Sequence, residues 1–148
     1  MNDEVYIPFH WGDSAGIMFF ANAFMMAHDA FEKYLVKELG MGWDEWFQNS
    51  DWIVPIKQTE ANYLSPIRLG KNCIIELEIE GVRNSSFTVH YRINQDQVEC
   101  CQLKTVHVFC DKKSGKKMGI PEKIKTVLNT VRDKEQTGWK GIIRMDRI

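Results

Sequence analysis

The sequence predicts an α+β domain in which a curved antiparallel sheet wraps around one long central helix. Three observations lead there. The stretch from Phe20 to Leu39 has helical periodicity, and its first half is apolar on nearly every side, so it must be enclosed. After it come several segments that alternate apolar and polar residues with a period of two, as half-exposed strands do. Finally, 148 residues suffice for one well-cored domain and not for two. With one helix to cover and several strands to cover it, a sheet curved around the helix is the economical packing.

In chain order, Val5 to Phe9 reads as a first strand and HWGDSAG as a loop of small, turn-forming residues. In the helix, Phe19, Phe20, Ala21, Ala23, Phe24, Met25, Met26 and Ala27 make the apolar start. Phe24, His28, Phe31, Leu35 and Leu39 then form a stripe opposite Glu32, Lys33, Lys37 and Glu38, and Gly40 and Gly42 end the helix. A loop holds Trp43, Trp46 and Trp52. Ile53 to Leu64 reads as a strand stopped by Ser65 and Pro66. Asn72 to Val82 follows, with Ile75, Leu77 and Ile79 alternating against Glu76, Glu78 and Glu80. Asn84 and Ser85 turn the chain into Phe87, Val89, Tyr91 and Ile93. Gln95 to Gln97 turns it again into Val98 to Cys110, and DKKSGKK closes that strand. Pro121 starts a helix to about Val131. The expected order is strand, long helix, four strands in meander and a short helix. Residues 1–132 form the domain, and 133–148 form a tail in which GIIRMDRI fits either an edge strand or a loosely docked end. The free edges of such a sheet favour pairing into a homodimer or homotetramer.

Composition narrows the function classes. Hydrophobic residues make up 44% and charged residues 26%, the balance of an ordinary globular protein, and the formal net charge of -1 gives no field that would gather nucleic acid. Cys73, Cys100, Cys101 and Cys110 contain no CxxC pair. Neighbours in a strand point to opposite faces, so Cys100 and Cys101 are not expected to share a metal. His90 and His107 have no carboxylate or cysteine at ligand spacing, and no metal site is expected. The acidic start MNDEVYIPFHW lacks a secretory apolar core, and IMFFANAFMMA is about half a membrane span, so neither secretion nor a membrane partner is expected and the cytoplasm is the expected compartment.

The segment with chemical potential is WGDSAGIMFFAN, from Trp11 to Asn22. Asp13 lies among small residues just ahead of a helix whose apolar start implies burial. Unpaired N–H groups at such a start attract anions and would stabilise the oxyanion that forms when a thioester carbonyl is attacked. The carboxylate beside it would attack that carbonyl or take a proton from water. On local chemistry alone, the purely structural alternative is stronger, because Asp in such a loop commonly forms an Asx turn.

These residues resemble the signature of the 4-hydroxybenzoyl-CoA thioesterase family of hot-dog-fold proteins. In that family an aspartate precedes a small-residue Ala-Gly turn, an aromatic pair and the central helix. The matching positions are Asp13, Ser14, Ala15, Gly16, Ile17, Met18, Phe19, Phe20, Ala21, Asn22 and Phe24. His28, Ala30, Glu32, Leu35 and Gly40 keep the family's helix spacing. Pro55, Glu60 to Tyr63, Pro66, Gly70 and Arg83-Asn84-Ser85-Ser86-Phe87 match its later strands. The AHDAFEKYL helix, VPIKQTEANYLSP and VHVFC are similar to the 1,4-dihydroxy-2-naphthoyl-CoA thioesterases of phylloquinone biosynthesis.

The resemblance implies a hot-dog fold and hydrolysis of an aromatic acyl-CoA, with coenzyme A as part of the substrate and no separate cofactor. It places Asp13 as the catalytic carboxylate and the Phe20 backbone N–H at the oxyanion. Gly16, Phe19, Phe24, His28 and Tyr63 would stand around the acyl group, and Arg83, Ser85 and Ser86 would meet the CoA phosphates. His28 on the apolar stripe also fits a hydrogen-bonded core histidine, and Glu60 fits either the sheet exterior or a shared pocket. Lys112, Lys113, Lys116 and Lys117 read as a solvated turn. Trp11 stands where many relatives carry a second aspartate, a position expected to serve loop structure. Two other activities remain open at this point. One is an enoyl-thioester hydratase or dehydratase, although no histidine follows Asp13 before His28. The other is a non-catalytic acyl-CoA-binding module.

Overall fold

The computed structural model describes the backbone of residues 1–146 and the side chains of residues 1–135. Strand β1 (Asn2–Tyr6) leads through a 3-10 turn at Phe9–Trp11 into helix α1 (Asn22–Lys37). A short helix α2 (Trp43–Phe47) and a strand β2 (Trp52–Ile53) follow. Strands β3 (Ile56–Tyr63), β4 (Asn72–Val82), β5 (Ser86–Gln95) and β6 (Val98–Val108) join β1 in one sheet. Strand β7 (Cys110–Asp111) pairs with β2, and helix α3 (Glu122–Asp146) comes last.

The sheet is antiparallel in the order β1-β4-β5-β6-β3. Only β4, β5 and β6 form a meander. Strand β3, expected as its first member, lies at the far edge against β6, and residues 64–71 cross to β4 on the other side. Alternation marks a strand as half-buried but carries no information on which strand sits beside it. The expected strand from Ile53 to Leu64 is broken at Pro55, which has no N–H for a ladder. Helix α2, read as loop, is too short to show a period, although Asp44 and Glu45 suit its first turn. Asp96 and Gln97, with φ of 52° and 64°, make the tight β5–β6 hairpin.

Helix α1 buries Ala23, Met26, Ala27, Ala30, Phe31, Tyr34 and Leu35 against β4, β5 and β6 residues that include Ile75, Leu77, Phe87, Val89, Ile93 and Leu103. The buried face is rotated from the expected stripe: Phe24 is half-buried and His28 is exposed. Small alanines let the helix sit close to the sheet, so the alanine face goes inward and the larger residues flank it. The core histidine is His107, on β6. Its ring stacks on Phe31 at 4.5 Å and on Phe87 at 4.7 Å. Its Nε2 lies 2.8 Å from Thr105 Oγ1, which lies 3.1 Å from Tyr91 OH. Cys100 and Cys101 are both buried, contrary to simple alternation, because β6 is bulged opposite Ile93 and Asn94.

Helix α3 runs on through 133–146, so the boundary expected at 132 falls inside a helix and the expected tail is not an edge strand there; residues 147–148 lie outside the described residues. Gly138 and Gly141 weaken the helical pattern of this segment, while Arg, Lys, Glu and Gln around them favour it. The physical reason for docking α3 lies at the β4 edge. Leu77 exchanges two hydrogen bonds with Met1, at 2.8 and 3.1 Å, where pairing with the N-terminal segment ends. The next donor facing that edge, Ile79 N–H, donates to Glu135 Oε2 at 2.9 Å. A helix thus covers the part of the edge that β1 does not reach.

Burial holds the His107 imidazole well below its ordinary value, at about 3, with His28 adding charge repulsion. Unfolded, the same ring titrates near 6.5. Below about pH 6.5 the unfolded chain therefore takes up a proton that the native chain refuses until about pH 3, so stability is complete above that window and is lost as pH falls through it. The urea midpoint should fall steeply between about pH 6.5 and 4. His107→Gln should remove most of that slope while costing about 2 kcal/mol at pH 8. A wild-type midpoint that stays level over this range rules the assignment out.

Candidate active site

The Asp13 loop is a miniature hairpin. Gly12 bridges Met18, and Ile17 bridges Arg68. Asp13 N–H donates to Ile17 O at 3.4 Å and Gly16 N–H to Asp13 O at 3.0 Å, with Gly16 at φ 78°. The hairpin is zipped to the segment before β4: Met18 N–H donates to Ile67 O at 2.7 Å, and Leu69 N–H to Gly16 O at 3.0 Å. That segment is in turn held by buried Gln95. Its Oε1 accepts from Arg68 N–H at 2.8 Å, and its Nε2 donates to Arg68 O at 2.9 Å. Sequence reading assigned Gln95 to a turn. The pairing of one amide with both backbone groups of a distant residue leaves no local signal.

Asp13 is exposed, and its Oδ1 accepts from Ala15 N–H at 2.9 Å, the Asx turn that local chemistry favoured. This contact fixes the carboxyl within the hairpin and leaves Oδ2 uncommitted among the described residues. Ile17 and Met18, on the returning arm of the same hairpin, line a cleft of about 330 Å³ together with Phe20, Tyr63, Leu64 and Pro66.

Helix α1 enters this cleft without a cap. Ala21 is its N-cap residue, and no side chain accepts from its first turn. Among the described residues, neither Phe20 N–H nor Ala21 N–H has an acceptor. Two free donors at a helix start suit developing negative charge. Trp11 packs against the core, and its carbonyl accepts from both Phe19 N–H at 2.8 Å and Asn22 Nδ2 at 2.7 Å, in keeping with the structural role expected at that position.

The rings of Phe19 and Phe20 lie 4.8 Å apart, and Tyr63 meets Phe20 edge-on at 6.1 Å. The Tyr63 hydroxyl donates to Phe20 O at 3.0 Å. Burial and the nearby Cys101 thiol hold this phenol above its ordinary value, so it stays a donor at neutral pH. Phe19 and Phe20 are among the most exposed large apolar side chains, at 57% and 59%.

Phe19, Phe20 and Tyr63 thus meet one another at the cleft, while Asp13 and Gly16 belong to the hairpin whose returning arm lines it. Other expected residues lie elsewhere. Phe24 packs against the core. His28, expected as a core histidine or a residue of this site, is exposed and lines a separate cavity of about 260 Å³ with Phe31, Glu32, Leu35, Trp43 and Phe47. Arg83, Ser85 and Ser86 lie at the other end of the sheet. The ladder sets Tyr63 beside Cys101 and Cys101 beside Ile93, so Ser86 lies seven residues away, about 23 Å along β5. Ser85 is buried, its carbonyl taken by Phe109 N–H at 2.8 Å, which leaves Arg83 as the exposed cation of that turn. Glu60 opposes Lys104 on the outer face, where Lys104 pairs with Glu80 at 3.0 Å. Among the described residues, no group of three or more His, Cys, Asp or Glu is arranged to hold a metal ion, and no helix is long and apolar enough to cross a membrane.

The family model described as the thioesterase-like superfamily matches residues 7–128. A 1,4-dihydroxy-2-naphthoyl-CoA hydrolase of Microcystis aeruginosa is 26% identical over 126 residues, which is 85% of this chain and 91% of the relative. The fold resembles a 1,4-dihydroxy-2-naphthoyl-CoA thioesterase from Synechocystis, with a TM-score of 0.78 and 22% identity over 86% of this chain and 93% of that one. It also resembles a Staphylococcus aureus protein solved in complex with CoA, with a TM-score of 0.80 and 13% identity over 89% and 83% of the two chains.

The hairpin geometry sets two glycine costs. Gly16 has open space around it, so Gly16→Ala should cost only the left-handed backbone strain, about 1–2 kcal/mol. A Cβ at Gly12 would run into the Ile17 carbonyl and the Leu69 side chain, so Gly12→Ala should cost more, roughly 3 kcal/mol. Thermal unfolding of the two variants side by side checks the order. A Gly12→Ala protein as stable as wild type would contradict it.

Proposed function

This chain belongs to the thioesterase-like superfamily of hot-dog-fold proteins, and from that premise we propose that it hydrolyses an aromatic acyl-CoA, with 1,4-dihydroxy-2-naphthoyl-CoA as its substrate. The observation that carries the reading is the pair of uncommitted amides, Phe20 N–H and Ala21 N–H, at an uncapped helix start in an apolar cleft beside the Asp13 hairpin.

The thioester carbonyl oxygen takes the place in front of those amides. As the carbon is attacked, charge moves onto that oxygen, and the two fixed donors and the helix dipole stabilise it more than they stabilise the ground-state carbonyl. Asp13 supplies the carboxylate oxygen that attacks the carbon, or that takes the proton from the attacking water. Collapse of the tetrahedral species expels the CoA thiolate, a good leaving group that needs no obligatory acid. Where Asp13 itself attacks, this leaves a mixed anhydride that water then cleaves to the free acid and the regenerated carboxylate. The rings of Phe19, Phe20 and Tyr63 offer faces to a fused aromatic acyl group. Strand β3, exposed and paired on one side only, with exposed Phe20, Met25 and Leu64, supports a homodimer or homotetramer. In such an assembly Arg83 of a neighbouring copy would meet the CoA phosphates that its own cleft does not reach. Chemistry of this kind on a CoA ester fits the cytoplasm.

Asp13→Asn should keep the fold and lower thiol release from 1,4-dihydroxy-2-naphthoyl-CoA by about 10³-fold, followed with a thiol-reactive dye. Across naphthoyl, benzoyl and fatty acyl-CoA esters, kcat/KM should favour the aromatic substrates by at least about tenfold. Near-wild-type turnover by Asp13→Asn would remove Asp13 from the mechanism, and tight CoA-ester binding by the wild type without thiol release would sink the hydrolase reading.

A further inference from the structure

The two amides proposed to meet the oxyanion are poorly held by the helix itself. With no side-chain cap, the first turn rests on three i→i+3 bonds, Asn22 N–H to Phe19 O at 3.0 Å and Ala23 N–H to Phe20 O and Phe24 N–H to Ala21 O, each at 3.2 Å. Such an end frays unless something outside the helix fixes it. Two hydrogen bonds to groups outside the helix do so, one made by Asn22 and one by Tyr63. Asn22 Nδ2 donates to Trp11 O at 2.7 Å, the carbonyl that also takes Phe19 N–H at 2.8 Å, so the stretch from Phe19 to Asn22 is pinned at both ends to the strand entering the Asp13 hairpin. From the sheet, Tyr63 OH donates to Phe20 O at 3.0 Å. That carbonyl and Ala21 N–H belong to one peptide group, so the bond both orients the group and polarises its N–H.

We propose that Tyr63 and Asn22 are positioning residues for the hydrolytic step, a clamp that holds the Phe20 and Ala21 amides at a fixed place relative to Asp13. The assignment rests on the hydrolase reading. It changes the part expected of Tyr63: its hydroxyl serves the protein backbone and not the acyl group. A clamp acts where charge develops, so it should show in kcat and leave substrate binding alone.

The test compares Tyr63→Phe, which removes one hydroxyl from a half-exposed ring, and Asn22→Ala with wild type and Asp13→Asn. Each enzyme is assayed on 1,4-dihydroxy-2-naphthoyl-CoA and for inhibition by the non-hydrolysable thioether analogue. Each clamp variant should lose about tenfold in kcat, with KM and the inhibition constant within about twofold of wild type. If either variant raises KM and the inhibition constant while kcat holds, that residue contacts substrate and the clamp is overturned. If Asp13→Asn is inactive but both variants keep wild-type kcat, the clamp falls and the hydrolase reading stands. If the wild type itself releases no thiol, the hydrolase reading falls and the clamp falls with it.

Discussion

Helix α1 has to be buried along its length and yet begin at the surface, and the rest of the structure answers that demand. Its alanine face, Ala23, Ala27 and Ala30, lets the sheet approach closely. Phe31, inserted against Phe87 and His107, fixes where along the sheet the helix sits. Each buried side chain of this size contributes about 1.5–3 kcal/mol, so the helix cannot leave the sheet without losing most of the core. Because the buried face is continuous from Ala23 to Leu35, the turn just before it projects past the packed region and opens on the cleft.

The site is a product of that overhang. A helix start capped by its own serine or aspartate would have its donors satisfied and nothing left to offer a substrate. Here the N-cap is alanine, and hydrogen bonds between the helix start and its surroundings replace capping: Asn22 to Trp11 and Tyr63 to Phe20. The same economy appears under the hairpin, where one buried glutamine, Gln95, substitutes for a missing strand neighbour of Arg68. Both devices hold irregular backbone in place with single polar side chains, leaving room for a cleft that a regular ladder would fill.

The two edges of the sheet are managed differently. Strand β4, where β1 stops, is covered by α3 through Glu135, whose carboxyl is raised by burial and receives Ile79 N–H. Strand β3, at the opposite edge, is left open. The aromatic cluster of Trp46, Trp52 and Phe109 seals the end of the core beneath α2, with Trp46 and Trp52 at 5.4 Å and Trp52 and Phe109 at 5.0 Å.

Local chemistry in the chain determined a good deal by itself. The period-two run from Asn72 to Val82 gives β4 at its observed bounds, and helical periodicity gives α1, although its apolar start, expected to be enclosed, leaves Phe19, Phe20 and Met25 exposed. The small-residue loop around Asp13 marks the hairpin. Each of these is a property of residues close in sequence, and periodicity or turn preference reports it directly. Tertiary structure alone decided that β3 crosses to the far edge, that His107 and not His28 is the core histidine, and that α3 replaces a strand along β4. It also decided that Arg83 and Asp13 lie at opposite ends of the sheet, and that Tyr63 spends its hydroxyl on Phe20. Those outcomes depend on which residues far apart in the chain come within about 3 Å of one another, and a hydrogen bond or a stacked ring formed across that separation leaves no period in the sequence.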